Sequence, residues 1–416
     1  MKGNIRPLAN IVLQMLIACL ALLYLGGQEE CTPPCPEGPA EGLEEGGGLV
    51  PMSASGFQLE DTGKGAQYAS IIDELARVLP TVSASKLASD LNREGTRIDA
   101  SALPRVDDFH VGFRWNDGDF DVSYWIPQGI TGSGGAFDDG LFGGRKFLLV
   151  SWHYDASLGG TSYDKGVRVS FVDVTDMDAV AYRHVLLVEP VASGGRADFR
   201  AVPIHAGGIV WYGDYLYVAD TYEGLRVFDV TRIMQVATGD KSLIGYHAAD
   251  GQYYAHDYKY ILPQVGAWYL APGSCESKFS FAALDRSTTP HSIVTGEYDS
   301  DRIDGLLVRW PLDEATAALQ TGSSGLVTAM AAYQGGHTRM QGVLSWEGQY
   351  WISSSSQDGA YGRLYRTAPG APSVAYDWVD GPEDLHLAPS SGNLWTPTED
   401  AGDRYVFAVK LTDYGG

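Results

Sequence analysis

The chain has 416 residues, 52 of them Asp or Glu and 29 Lys or Arg, for a formal net charge of -23. That balance excludes a nucleic-acid backbone as partner, which needs clustered cations to release counterions, and it sets the body of the protein against an anionic membrane surface. The length suits one large repeat domain with attachments.

Lys2 and Arg6 precede a nearly continuous apolar run, Leu8 to Leu25, broken by Asn10 and Gln14. Residues 1–27 therefore read as a signal peptide or membrane anchor. Three outcomes stay open: cleavage near Gly26-Gly27, lipidation at Cys19 in the run Leu16-Ile17-Ala18-Cys19, or an uncleaved anchor approaching the roughly 20 residues that span a bilayer. Each expects an exported globular part, periplasmic, cell-surface or extracellular, that meets the membrane only through this segment. Residues 28–57 are rich in Pro, Gly and Glu and read as a flexible linker. Cys31, Cys35 and Cys275 predict a structural disulfide whose pairing the spacing leaves open.

Residues 58–104 form a short helical lead: Ile71, Ile72, Leu75 and Val78 share one helix face over 66–79, Pro80 ends that helix, and Ser83 to Asn92 make a second. From about residue 105 to 416 the character changes to short β runs, tight turns and abundant aromatics. The pattern is plainest at His205 to Val230, where Gly213-Asp214 and Glu223-Gly224 turn a three-stranded meander. The meander recurs, each copy opened by a short marker ending in an aliphatic residue or Ala. The markers are Pro127-Gln128-Gly129-Ile130, Ala206-Gly207-Gly208-Ile209, Phe279-Ser280-Phe281-Ala282, Met340-Gln341-Gly342-Val343 and Pro382-Glu383-Asp384-Leu385.

Candidate fourth strands follow four of the copies: HVLLVEPV, SLIGYHA, LVTAMAAY and SVAYDWV. The last copy has none after it, and Phe109 to Trp115 is an extended run with no copy of its own. The expectation is an all-β, five-bladed β-propeller closed by that N-terminal strand, which removes exposed sheet edges. Six blades is the alternative, because residues 253–270 hold further β-like material, read in the five-blade scheme as an insertion or hairpin.

First strands line a propeller's channel, so the markers predict a ring of Gln128, Gly207, Ser280, Gln341 and Glu383, flanked by His205 and Asp384. Gly129, Gly207, Gly208 and Gly342 are explained by close backbone approach alone. The expected ligand-binding residues are His205, Gln128, Gln341, Glu383 and Asp384. Glu383 and Asp384 are the tentative metal ligands, for one divalent cation such as calcium, which takes oxygen donors. The expected partner is a small molecule, a glycan or a protein at the channel face, and the expected state is a monomer. PQGI at 127–130 and PEDL at 382–385 resemble the blade openings of the SMP-30/gluconolactonase and NHL or streptogramin-lyase-like propellers. That resemblance implies a metal-ligating role for Glu383 and, as an alternative to binding, a metal-assisted hydrolase or lyase on a small ester, lactone or sugar. The chain is also similar to exported bacterial propellers of unassigned function through WIPQGITGS and HAGGIVWYG, which implies no chemistry.

Other groups read as structural. Glu297, Asp299, Asp301 and Asp304 lack EF-hand spacing and suit an acidic turn. Glu399, Asp400 and Asp403 occupy the equivalent turn of the last copy. His153, His291 and His337 have no partner that sequence can place, and the ten Trp residues suit packing between blades.

Overall fold

A computed structural model describes residues 35, 38–356 and 361–416. The segment 1–27, Cys19 and Cys31 lie outside the described residues. Cys35 and Cys275 are each disulfide-bonded.

Five antiparallel blades of four strands make up the fold, and blades 1 and 2 are joined edge to edge into one larger sheet. Blade 1 runs Trp125–Gly132, Phe147–Tyr154, Val167–Asp173 and Ala181–Ser193 from the axis outwards. Blade 2 runs Ile209–Tyr212, Tyr215–Asp220, Gly224–Asp229 and Tyr260–Leu270. Blade 3 runs Phe281–Asp285, Ser292–Gly296, Leu306–Pro311 and Ala331–Gln334. Blade 4 runs Met340–Trp346, Gln349–Ser354, Arg363–Ala368 and Ala371–Asp377. Blade 5 runs His386–Ala388, Asn393–Pro397 and Tyr405–Lys410, then takes Phe109–Arg114 as its fourth strand. The all-β five-bladed propeller, closed by the N-terminal strand, is therefore the observed fold.

Three expectations shift in detail. SLIGYHA is not the fourth strand of blade 2. Ile244–His247 pairs instead with Gln252–Ala255 in a separate hairpin, and the run 260–270, expected as insertion, supplies the strand. Its eleven residues reach two partners: Trp268 pairs with Leu225 in blade 2, while Ile261 to Pro263 run parallel to Leu186 to Val188 of blade 1. The helix expected over 66–79 is Gly65–Leu75, burying Tyr68, Ile71, Ile72 and Leu75. Val78 is exposed, because the chain leaves the helix before Pro80, which disfavours helical geometry in the residue ahead of it. The second helix, Ala84–Ala88, starts where expected, the Ser83 hydroxyl accepting the Lys86 N–H at 3.2 Å. Finally, the linker composition of 28–57 hides an ordered end: Val50–Met52 adds an outer strand to blade 3, and Leu49 and Phe57 are buried.

Large side chains fill the wedges between the twisted sheets. Trp115, Trp152, Trp211, Trp310, Trp351 and Trp378 are fully buried. Trp115, just past the closing strand, meets Trp152 and Tyr182 edge-on at 4.9 and 4.8 Å, an arrangement the ring quadrupoles favour. At the axis the opposite rule holds. A Cβ on Gly207 would stand 1.9 Å from the Ser280 carbonyl oxygen, one on Gly208 2.0 Å from the Ala282 nitrogen, and one on Gly342 2.5 Å from Asp384 Cα. Backbone meets backbone there, so no side chain fits between neighbouring blades.

Gly208→Ala therefore forces two inner strands apart and is expected to cost at least about 3 kcal/mol, the upper range for overpacking. Gly266→Ala, where an added Cβ meets nothing within 4 Å, is expected to lose nothing. Urea unfolding of the two variants checks the contrast, and equal stabilities would refute it.

Candidate functional site at the channel mouth

An inner strand starts on the same rim of the propeller where the second strand of its blade ends, because the two run antiparallel. The five markers and the loops between second and third strands therefore share one face. A cavity of about 450 Å³ opens on that face. Its wall takes one marker-region residue from each blade: Gln128, His205, Ser280, Gln341 and Glu383. Four of the five predicted ligand-binding residues are brought together there. The fifth, Asp384, is fully buried and does not line the cavity.

Sequence reasoning missed Glu399. The turn that holds it is not merely a solvated turn: Glu399 is half-buried and lines the cavity. The Gln128 side-chain amide donates to its Oε2 at 3.0 Å, and the carboxyls of Glu383 and Glu399 share a hydrogen bond. Two carboxyl groups can share such a bond only if one keeps its proton. Burial, then the facing Glu399 and Asp384, push Glu383 well above the ordinary carboxyl range. Burial and Asp400 also raise Glu399, while the bonds from Gln128 and Glu383 hold it down. The signal was present in the register: Glu383 N–H donates to the Pro397 carbonyl at 3.2 Å, and Glu399 N–H to that of Gly381 at 3.0 Å. Applied along the chain, this pairing also brings in Thr221, Tyr222 and Tyr298 from the corresponding loops of blades 2 and 3.

The His205 ring keeps open surface although it is closely surrounded, and the crowding lowers its pKa. It stacks on His153 at 4.3 Å between ring centroids. Burial and then His205 push His153 down to about 3, so this pair is neutral near pH 7.

Asp384 points beneath the cavity toward the axis. Its carboxyl stands among the backbone N–H groups of Leu385, Ile130, Ile209 and Ala282, contributed by four blades. Neither oxygen completes a hydrogen bond. Burial pushes its pKa up and the surrounding N–H groups oppose that shift.

These placements bear on a divalent cation. Among the described residues no three or more His, Cys, Asp or Glu side chains group so as to hold one. Asp384 faces backbone donors and stays out of the cavity, so of the two tentative metal ligands only Glu383 reaches it. The remaining candidates have structural partners. Glu297 accepts the N–H groups of Lys278 and Leu306 at 2.8 and 3.1 Å, and Asp299 accepts those of Asp301 and Arg302 at 3.0 and 2.9 Å. His291 meets the Tyr212 hydroxyl at 2.7 Å, and His337 meets the Ser373 hydroxyl at 2.9 Å.

No protein-family model matches the chain, and no curated protein matches it in sequence. Solved structures resemble it weakly. The RS223 beta-xylosidase is 9% identical with a TM-score of 0.33, over 69% of this chain and 92% of that one. The GH43_1 enzyme from Xanthomonas citri complexed with xylose is 10% identical with a TM-score of 0.32, over 82% and 92%. The Kuenenia stuttgartiensis hydrazine synthase is 11% identical with a TM-score of 0.30, over 65% and 73%. Likenesses at this level carry no chemistry to this chain, and the propeller rests on its own strand pairing.

The shared proton has a consequence for stability. Because the folded-state pKa of Glu383 lies above its unfolded value, its contribution is complete below the unfolded pKa. It is lost as pH rises through the folded pKa. Glu383→Gln keeps a donor toward Glu399 and cannot ionise. It is expected to match the wild type in thermal melts at about pH 4 and to melt several degrees higher at about pH 8. Equal melting temperatures at both pH values would refute the assignment.

Proposed function

We propose that the channel-mouth cavity binds a small polyhydroxylated ligand, a saccharide or the end of a glycan. The observation that carries this reading is the convergence of five polar side chains, one from each blade, on one cavity. Amides, hydroxyls and a neutral imidazole both donate and accept, as a sugar's hydroxyls do. Tyr222, 77% exposed, and Tyr298 offer aromatic surface beside them for the apolar face of a ring. Partner-protein binding at the same face is the competing outcome of the test.

A second reading, hydrolysis of a small ester, lactone or sugar, has one observation in its favour. A carboxyl group kept protonated in a cavity is a general acid in waiting. Glycosidic cleavage usually flanks the bond with carboxyls roughly 5–9 Å apart, whereas Glu383 and Glu399 touch. This favours binding over sugar hydrolysis and leaves ester or lactone chemistry as the enzymatic form, with Glu383 as the acid.

Calorimetric titration with a panel of mono- and oligosaccharides tests the first reading. The expected result is saturable binding weakened about tenfold in Gln341→Ala and in Tyr222→Ala, the order of one hydrogen bond or one ring contact. No binding across the panel would overturn it. Hydrolysis of aryl esters or lactones that is lost in Glu383→Gln would establish the second.

A further inference from the structure

A second cavity, of about 690 Å³, shares no residue with the channel mouth and lies along blade 1 and the hairpin between the third and fourth strands of blade 2. Its charge runs against that of the whole protein. In a chain of net charge -23, its wall holds Arg93, Lys165, Arg168, Arg183, Lys241 and Lys259 against two carboxylates, Asp119 and Asp257.

The acids present are already committed. Asp119 accepts Arg168 at 2.8 Å, Arg93 at 3.2 Å and the Tyr182 hydroxyl at 2.7 Å, with His184 at 3.1 Å. Asp257 accepts the Gly239 N–H at 2.7 Å. Asp90, just outside the wall, serves Lys259 at 2.6 Å and Arg183 at 3.5 Å. The six cations thus face three acids. Lys165 feels burial and the repulsion of Lys241, with no carboxylate to oppose them.

A buried guanidinium also points to a missing partner. Arg168 is 3% exposed and His256 5%, and both line the cavity. Arg168 Nε and His256 Nε2 have no hydrogen-bond partner. His256 uses its other nitrogen on the Lys241 carbonyl at 3.1 Å. That carbonyl accepts, so His256 Nδ1 donates and Nε2 stays an acceptor on the neutral ring, whereas Arg168 Nε is a buried charged donor left unmade, which is costly. The guanidinium of Arg168 is also fixed in place, 4.6 Å from the ring centroids of both Trp125 and Trp152, so it cannot swing away to find water.

We infer that this cavity binds a small oxyanion carrying two or more negative charges, as phosphate, sulfate or carboxylate groups. Arginine forks match such oxygens in pairs. The volume accommodates a body larger than a single phosphate, and Tyr124, Trp125 and Tyr258 supply apolar wall.

The test is calorimetric titration of the full chain at low ionic strength with pyrophosphate and, separately, citrate, which distinguish a phosphate from a carboxylate source. The expected result is one site for at least one probe, weakening as salt rises. Lys165→Ala/Lys241→Ala removes the two cations outside ion pairs and is expected to weaken binding about tenfold or more. Lys86→Ala, on the surface elsewhere, and Gln341→Ala, in the channel mouth, are expected to bind as the wild type does. Failure of both probes to bind, or binding unchanged in the double variant, would overturn the inference. Because Gln341→Ala reads the other cavity, loss of one site is distinguishable from loss of the other.

Discussion

The structure depends on a constraint at its axis: five inner strands must come close enough for backbone to touch backbone. Gly129, Gly207, Gly208 and Gly342 meet that demand by omission, and each faces backbone atoms of the next blade. Asp384 stands among the N–H groups that converge there. Inner strands present donors and acceptors that no fifth neighbour pairs, and a buried carboxyl is one means of facing the donors. The cavity exists because the side chains just ahead of the close approach have nowhere to go but outward onto the rim.

Two buried charge networks show how differently the same residue types can be finished. Arg309, between blades 3 and 4, donates to Asp285, Ser292, Ser345 and Tyr350, and both of its terminal nitrogens are used twice. That cluster is a closed structural joint. Arg168 in blade 1 has comparable burial and a partner in Asp119, yet keeps an unmade bond where the cavity begins. Arg404 stands between the two sites: it holds the Glu399 carbonyl at 2.7 Å and the Asp119 carbonyl at 3.1 Å. The loops that shape the channel mouth and the cationic cavity are thus braced by one guanidinium, itself pushed down to about 10 by burial and the neighbouring Arg168.

The sequence was most legible where chemistry is local. Turn residues, alternation and the repeated markers located all five inner strands, and the orphan run at 109–115 was recognisable as the closing strand because it belonged to no copy. It was least legible where two segments compete for one place. SLIGYHA and the run at 260–270 are equally β-like, and only the fit against Gly224–Asp229 and the parallel contact with blade 1 decides between them. The site followed the same pattern. Residues on the markers were visible, while Glu399 was hidden by its setting, an acidic turn resembling any other until register brings it opposite Glu383. The cationic cavity left no motif, since its charges come from segments scattered between residues 93 and 259.

The clasp between Phe109–Arg114 and Tyr405–Lys410 imposes an order of events on synthesis. Nearly three hundred residues separate the two partners, and contacts at such separation are slow to form. While the ribosome works, the first strand must wait beside unfinished blades with its edge unpaired, a state prone to wrong pairing with another copy. The ring therefore becomes a ring only at the end. Until then the first and last blades each lack a neighbour on one side, and the channel-mouth cavity, whose wall draws on all five blades, is incomplete.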